Sequence, residues 1–210
     1  MIHAGRHRIK SHGGIPHGST CNLGGNLEFY LQNTVAQLVA RWDDQSSNSN
    51  HAVQTTAGNQ PTAVAGGGLD FEDTNNASTA SMMDFTSFTV AVNTDFLMFI
   101  VWNPETTATN CYLSDGTSEV FQTINASRQM FKTPTAGTND MNHSATFTID
   151  AGEKSVFMVH RTNGSTGTIK LYKNGLVYDP SVTDADGFDL QNLGSKNDAS
   201  HWFDGIMYDV

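Results

Sequence analysis

Residues 85–102 read Phe-Thr-Ser-Phe-Thr-Val-Ala-Val-Asn-Thr-Asp-Phe-Leu-Met-Phe-Ile-Val-Trp, and this stretch decides the fold class. Its first half spaces Phe85, Phe88, Val90 and Val92 among small polar residues. Its second half, Phe96 to Trp102, is apolar at every position and stops before Pro104. Seven residues are short for a buried helix, and β-branched and aromatic side chains dominate, so both halves read as strands. Asn93-Thr94-Asp95 has the length and chemistry of a hairpin turn between them. The second strand, apolar on both faces, is expected in the middle of a sheet packed on both sides.

Strand-like segments continue in both directions from that centre. Upstream stand Leu27–Leu31 with alternating apolar residues, Val35–Trp42 as either a strand or a helical turn, His51–Gln54, and Leu69–Phe71. The polar run 43–50 between them reads as loop. Downstream come Cys111–Leu113, Val120–Ile124, Gln129–Lys132, Ala145–Ile149, Val156–His160, Thr168–Tyr172 and Ile206–Val210. Turn residues separate them: Ser114-Asp115-Gly116, 136–140, Asp150-Ala151-Gly152, Asn163-Gly164 and Asn174-Gly175. Asn-Gly supplies the two positive φ angles that a two-residue hairpin needs. Many short strands with no long helix define an all-β sandwich or barrel. Phe96, Met98, Ile100, Phe147, Phe157 and Leu171 are its expected core.

The chain has 210 residues, with 12 Phe, 5 Tyr and 3 Trp, enough for one sandwich core. Two parts are expected: a basic, extended or disordered arm at 1–26 and a sandwich at 27–210. The arm holds four His and one Pro among Gly and small polar residues, without periodicity. Residues 1–27 carry Arg6, Arg8 and Lys10 and no acid, whereas 28–210 carry 8 bases and all 21 acids, a net −13. Such a body repels nucleic acid and anionic membranes, so neither is an expected partner. No run of 18 apolar residues exists, and the N-terminal residues lack the apolar stretch of a secretory signal. Cys21 and Cys111 are expected to stay reduced and unpaired.

Several segments resemble laminin-G/concanavalin-A-like domains, including pentraxin-like ones, of the kind found in phage and bacterial surface proteins. They are Ile169-Lys170-Leu171-Tyr172-Lys173-Asn174-Gly175-Leu176-Val177, then Asn192-Leu193-Gly194, and Trp202-Phe203-Asp204-Gly205-Ile206-Met207-Tyr208-Asp209-Val210. Upstream, Arg41-Trp42-Asp43-Asp44-Gln45-Ser46, His51–Gln54, Gln60-Pro61-Thr62 and Gly68-Leu69-Asp70-Phe71 add to the likeness. The resemblance covers roughly residues 27–210 and implies a two-sheet antiparallel β-sandwich of jelly-roll, concanavalin A-like form whose last strand returns to pair with the N-terminal one. Members of the family run on past the position of Val210, so that edge is expected to be open or closed by a partner.

No catalytic set stands out. A retaining glucanase on this fold needs carboxylates alternating on one strand to hold nucleophile and acid about 5 Å apart. Asp70-Phe71-Glu72-Asp73 is the nearest approach, and it reads as a solvated strand end. Gly-x-Ser-x-Gly does not occur. Calcium is common in the family, and Asp43, Asp44, Asp70, Asp73, Asp184, Asp186 and Asp189 offer oxygens, but solvated loop acids are preferred over a calcium site. His3, His7, His12 and His17 read as linker residues rather than a metal set. Among the tryptophans, Trp102 and Trp202 read as core, and Trp42 is the least committed candidate for stacking on a sugar.

The expected function is therefore non-enzymatic. The chain reads as a structural or attachment protein of a virus particle, such as a capsid decoration, fibre or tail component, made in the host cytoplasm and carried in the virion. Arg6, Arg8 and Lys10 of the arm would meet carboxylates on other virion proteins, while Gly13, Gly14 and Pro16 let it follow a surface. Host-surface glycans are a further expected partner, and a homo-oligomer or multi-copy assembly is the expected state. The competing reading is a carbohydrate-binding lectin or adhesin module of a cellular surface protein.

Overall fold

The computed structural model describes residues 39–65, 67–73, 80–107, 110–115, 119–125, 128–133, 137–142, 149–162, 167–195 and 201–210. The expected arm with Arg6, Arg8, Lys10, Gly13, Gly14 and Pro16, the expected strand at 27–31, Cys21, Phe147 and the Asn163-Gly164 turn all lie outside the described residues.

The strands before residue 115 are β1 (Arg41–Trp42), β2 (Ala52–Val53), β3 (Thr62–Ala63), β4 (Leu69–Phe71), β5 (Met83–Val90), β6 (Phe96–Pro104) and β7 (Asn110–Ser114). After them come β8 (Glu119–Asn125), β9 (Arg128–Thr133), β10 (Gly137–Asn142), β11 (Ser155–Thr162), β12 (Thr168–Lys173), β13 (Leu176–Thr183), β14 (Phe188–Leu193) and β15 (Gly205–Asp209). One 3-10 turn at Ala57–Asn59 is the only helical element among the described residues. The strands form two antiparallel sheets, eight-stranded β1-β2-β5-β14-β7-β8-β9-β10 and seven-stranded β13-β12-β11-β6-β15-β4-β3. The architecture is the expected two-sheet sandwich rather than a barrel.

Alternation places one face of each strand in the core. The eight-stranded sheet contributes Met83, Phe85, Tyr112, Leu113, Phe121, Phe188 and Leu193; the seven-stranded sheet contributes Phe71, Ile100, Trp102, Phe157, Val159, Leu171 and Met207. Trp102 lies at the centre, edge-on to Tyr112 and Phe157 with ring centroids 3.8 and 4.5 Å away, and stacked 6.0 Å from Phe203. Burying each such side chain contributes roughly 1.5–3 kcal/mol. Phe96 and Met98 are half-buried and pack against this core.

Four expectations change. First, β5 and β6 are not a hairpin: they belong to different sheets, and Asn93-Thr94-Asp95 lies in the crossover between them. A hairpin turn and a sheet-to-sheet corner draw on the same residue types, and Asn93 adopts φ 59° here as it would in a hairpin. Second, β6 is packed on one face only, since Leu97 and Phe99 are exposed. Third, β15 is interior, paired to β4 on one side and β6 on the other. It is therefore no edge strand, and the strand at 27–31 expected to pair with it lies outside the described residues. Fourth, residues 137–142, which overlap the 136–140 run read as turn, form β10 against β9 at the rim of the eight-stranded sheet. The Asn174-Gly175 hairpin is as expected: φ is 52° and 82°, and Lys173 pairs with Leu176 across a two-residue turn.

Candidate functional site

The site is built on the outer face of the eight-stranded sheet, where β2, β5, β14 and β7 lie side by side. Val53, Asp84, Asn192 and Ser114 are cross-paired in one row, so their side chains share a face. Asn192 links its neighbours: its amide Nδ2 donates to Asp84 Oδ1, and its Oδ1 accepts from Ser114 Oγ at 3.2 Å. Asn192 and Ser114 are buried while Asp84 is exposed. One oxygen of an exposed carboxylate is thus fixed from beneath by an amide that is itself held.

Beside this row stands the 43–51 loop between β1 and β2, organised by one buried carboxylate. Asp44 Oδ1 accepts the Ser46 N–H at 2.8 Å, and Oδ2 accepts the Asn50 N–H at 2.8 Å and Ser46 Oγ at 2.7 Å. Bonds to a charged acceptor contribute about 1.5–3 kcal/mol each, enough to select one loop shape. The Asp44 N–H donates in turn to His51 Nδ1 at 3.1 Å, so a neutral His51 carries its proton on Nε2. Asp43, 3.3 Å from the same nitrogen, is held by Arg41 Nε at 2.6 Å.

Between loop and sheet lies a shallow depression of about 480 Å³ lined by Ser49, His51, Val53, Asp84, Phe85 and Thr86. It presents a carboxylate acceptor, an imidazole donor and two hydroxyls around a small apolar floor. Such a surface suits a polyhydroxylated ligand: carboxylates accept from hydroxyl groups, imidazole N–H donates to ring or hydroxyl oxygens, and aliphatic carbons meet the C–H face.

The residues singled out from sequence fall elsewhere or take other roles. Trp42 is buried at 1% exposure, so it cannot stack on a sugar; the polar run after it hid its place in the core. Trp102 and Trp202 are buried as well. Asp44 and Asp184 are buried rather than solvated, and both act on local backbone: Asp184 Oδ1 accepts the Asp186 N–H at 2.9 Å. Asp189 accepts from Thr89 Oγ1 at 2.5 Å. Among the described residues, no three His, Cys, Asp or Glu side chains gather as a metal site.

Nor is the Asp70–Asp73 segment a simple solvated end. Asp70 is half-buried, and its carboxyl is pushed up to about 6, chiefly by burial and then by Glu105, Glu72 and Asp204. Burial also raises Asp204, opposed by the Asp73 N–H that it accepts at 3.3 Å. Asp70 lies within the three-residue β4, while Glu72, Asp73, Glu105 and Asp204 lie outside the strands.

The residues of the depression escaped the sequence reading because 51, 84 and 192 are far apart in the chain. No local motif marks them.

No protein-family model matches the chain, and no curated protein sequence matches it. Solved structures do. One is the binding domain of Paraclostridial Mosquitocidal Protein 1, with a TM-score of 0.51 and 13% identity over 86% of this chain and 48% of that one. This chain thus spans about half the length of the toxin chain that it matches. Another is Domain 4 of AbnA, a GH43 extracellular arabinanase from Geobacillus stearothermophilus, in complex with arabinotriose, with a TM-score of 0.45 and 16% identity over 83% and 90%. At these identities the first likeness shows a shared β-sandwich fold, and the second is a looser likeness in shape.

Proposed function

We propose that this chain is a non-enzymatic attachment module that holds a glycan in the depression between the 43–51 loop and β5. The observation that carries the reading is the pairing of Asp84, fixed by Asn192, with His51, fixed by the Asp44 N–H, across the exposed Val53. Both polar groups are oriented by the protein before any ligand arrives, which lowers the entropy lost on binding. A shallow open surface suits reversible capture of one or two sugar residues rather than the enclosure that chemistry needs. The toxin domain that shares the fold is itself a binding domain, in keeping with a recognition role.

The setting we propose is a virus particle, to which residues 1–26 attach the module through Arg6, Arg8 and Lys10. The support is compositional: three bases and no acid precede a body of net −13.

A glycan array followed by calorimetry on the best ligand tests the reading. Asp84→Ala and His51→Ala are each expected to weaken binding at least ~10-fold, the loss of a charge-assisted or well-placed hydrogen bond, with an unchanged circular dichroism spectrum. Failure of the wild-type chain to bind any glycan overturns the proposal. So does hydrolysis of the bound glycan by the wild-type chain.

A further inference from the structure

The opposite side of the molecule carries a surface that the proposed site does not use. Phe99 on β6, Met158 on β11, Tyr172 on β12 and Val177 on β13 are directly cross-paired, so they form one row across four strands on the outer face. Val101 and Val156 pair in the next row on one side, and Leu97 and His160 on the other. Leu97 is 47% exposed, Phe99 38%, Val156 41% and Val177 56%. An ordinary solvated sheet face alternates polar outward, and the outer row Asp84–Asn192–Ser114 of the other sheet does so. Here Leu97, Phe99, Val101, Val156 and Met158 stand outward, with His160 and Lys170 as polar neighbours in the Leu97 row.

We propose that this face is the interface between two copies of the chain, packed sheet against sheet. Size is the first argument. Three strand spacings and the rise from Leu97 to Val101 give a footprint of roughly 14 by 13 Å before side chains are added. Side chains and the rim of Ile206, Tyr208 and Leu176 widen this to a patch of a few hundred Å², the size of functional surface patches and of weak, reversible interfaces.

Charge is the second argument, and it selects a second copy. The chain has 21 acids and a net charge of −10, so two copies repel across most approaches. Yet β6, β11 and β12 contain no acid at all, and Lys170, cross-paired to His160, is their exposed cation. Over these three strands two such bodies meet without opposing carboxylates. A flat sheet is also self-complementary under a two-fold axis, with Met158 of each copy near the axis and stacked sheets about 10 Å apart.

Sedimentation equilibrium of the full chain across micromolar concentrations tests this. The wild type is expected to be a dimer that dissociates on dilution. Phe99→Glu and Val156→Lys are expected to raise the dissociation constant at least ~100-fold, the scale of losing a central apolar contact, with an unchanged circular dichroism spectrum. Ser87→Glu, on the other sheet, is expected to leave the dimer intact. Val156 is exposed enough to tolerate lysine if the Phe99 variant misfolds. A monomeric wild type, or a dimer indifferent to both substitutions, overturns the proposal. A chain that dimerises only after removal of residues 1–38 assigns the face to that segment and overturns it too. Glycan binding by the monomeric variants separates this result from that for the depression.

Discussion

Arg161 is fully buried, yet it donates to carbonyls rather than to carboxylates. Its guanidinium donates to Thr94 O at 2.8 Å, Asp186 O at 2.5 Å and Ala91 O at 3.1 Å, and lies 5.0 Å over the Phe96 ring. Burial lowers its pKa, while the nearby Asp184, Asp95 and Asp186 oppose that shift. One cation thus ties the 91–95 crossover to the 184–187 link, which accounts for the buried acid at 184. Asp70 poses the opposite problem, an acid whose burial favours its neutral form. Its folded pKa of about 6 exceeds the unfolded value of 3.8, so the folded state binds more protons between those values. Stability contributed by neutral Asp70 is complete below about pH 4 and is lost as pH rises through 6. Asp70→Asn is therefore expected to raise the melting temperature at pH 8 and leave it unchanged at pH 3.5. After discounting for solvent screening, the gain is about 1 kcal/mol, or roughly 2–4 °C. Melting curves across that pH range check it; an equal shift at both ends would refute the assignment.

At the scale of elements, two glycines with the same φ of 82° separate local strain from close approach. Gly175, in the β12–β13 turn, has open space where a Cβ would stand. A Cβ on Gly194, just past β14, would meet the Phe71 ring. Gly175→Ala is expected to cost about 1 kcal/mol, and Gly194→Ala about 3 kcal/mol or more as the core shifts, measured by urea unfolding. Comparable losses at the two sites would contradict the packing described. The contrast also shows what the sequence makes legible. Asn174-Gly175 is readable because a two-residue turn is a local event whose chemistry is complete in four residues. Gly194 is not, because Phe71 is far away in the chain. The same limit explains the β5–β6 crossover: Asn93-Thr94-Asp95 says that the chain bends, and pairing partners elsewhere decide into which sheet it bends. Alternation in β11 and β14 reveals which residues are buried, but not that Asp84 and Asn192 stand side by side. Apolar residues on both faces of β6 reveal that both want cover, and the structure shows that the second cover is not the other sheet.

For the whole molecule, charge asymmetry is the governing feature. Net charge is +3 over residues 1–27 and −13 over 28–210. On the proposed reading, removing residues 1–22 abolishes incorporation into particles and shifts the melting temperature of the remainder by less than about 2 °C. Counting copies per purified particle measures the first effect and calorimetry the second; normal incorporation of the shortened chain would move the attachment surface onto the sandwich. The two remaining surfaces divide the sandwich between them. The depression opens on the eight-stranded sheet, and the apolar row lies on the seven-stranded sheet, so dimerisation through the latter leaves both depressions facing outward. Two outward sites on one rigid body raise avidity for a repetitive surface by factors of about 10²–10⁴ over a single site, if the spacing fits.

The strand order has a further consequence for how the protein is made. β14 sits between β5 and β7, and β15 between β4 and β6, so each sheet has a central gap filled by a strand translated long after its neighbours. At ribosomal speeds of about 5–20 residues per second, roughly 100 residues separate β6 from β15, and the nascent chain holds unpaired central edges for several seconds. Those edges are apolar and able to hydrogen-bond, the combination that chaperones recognise and that drives misassembly between neighbouring nascent chains on one message. Slower elongation before β14 would lengthen that exposure, and yield in the cell would follow translation rate even where the finished protein is stable.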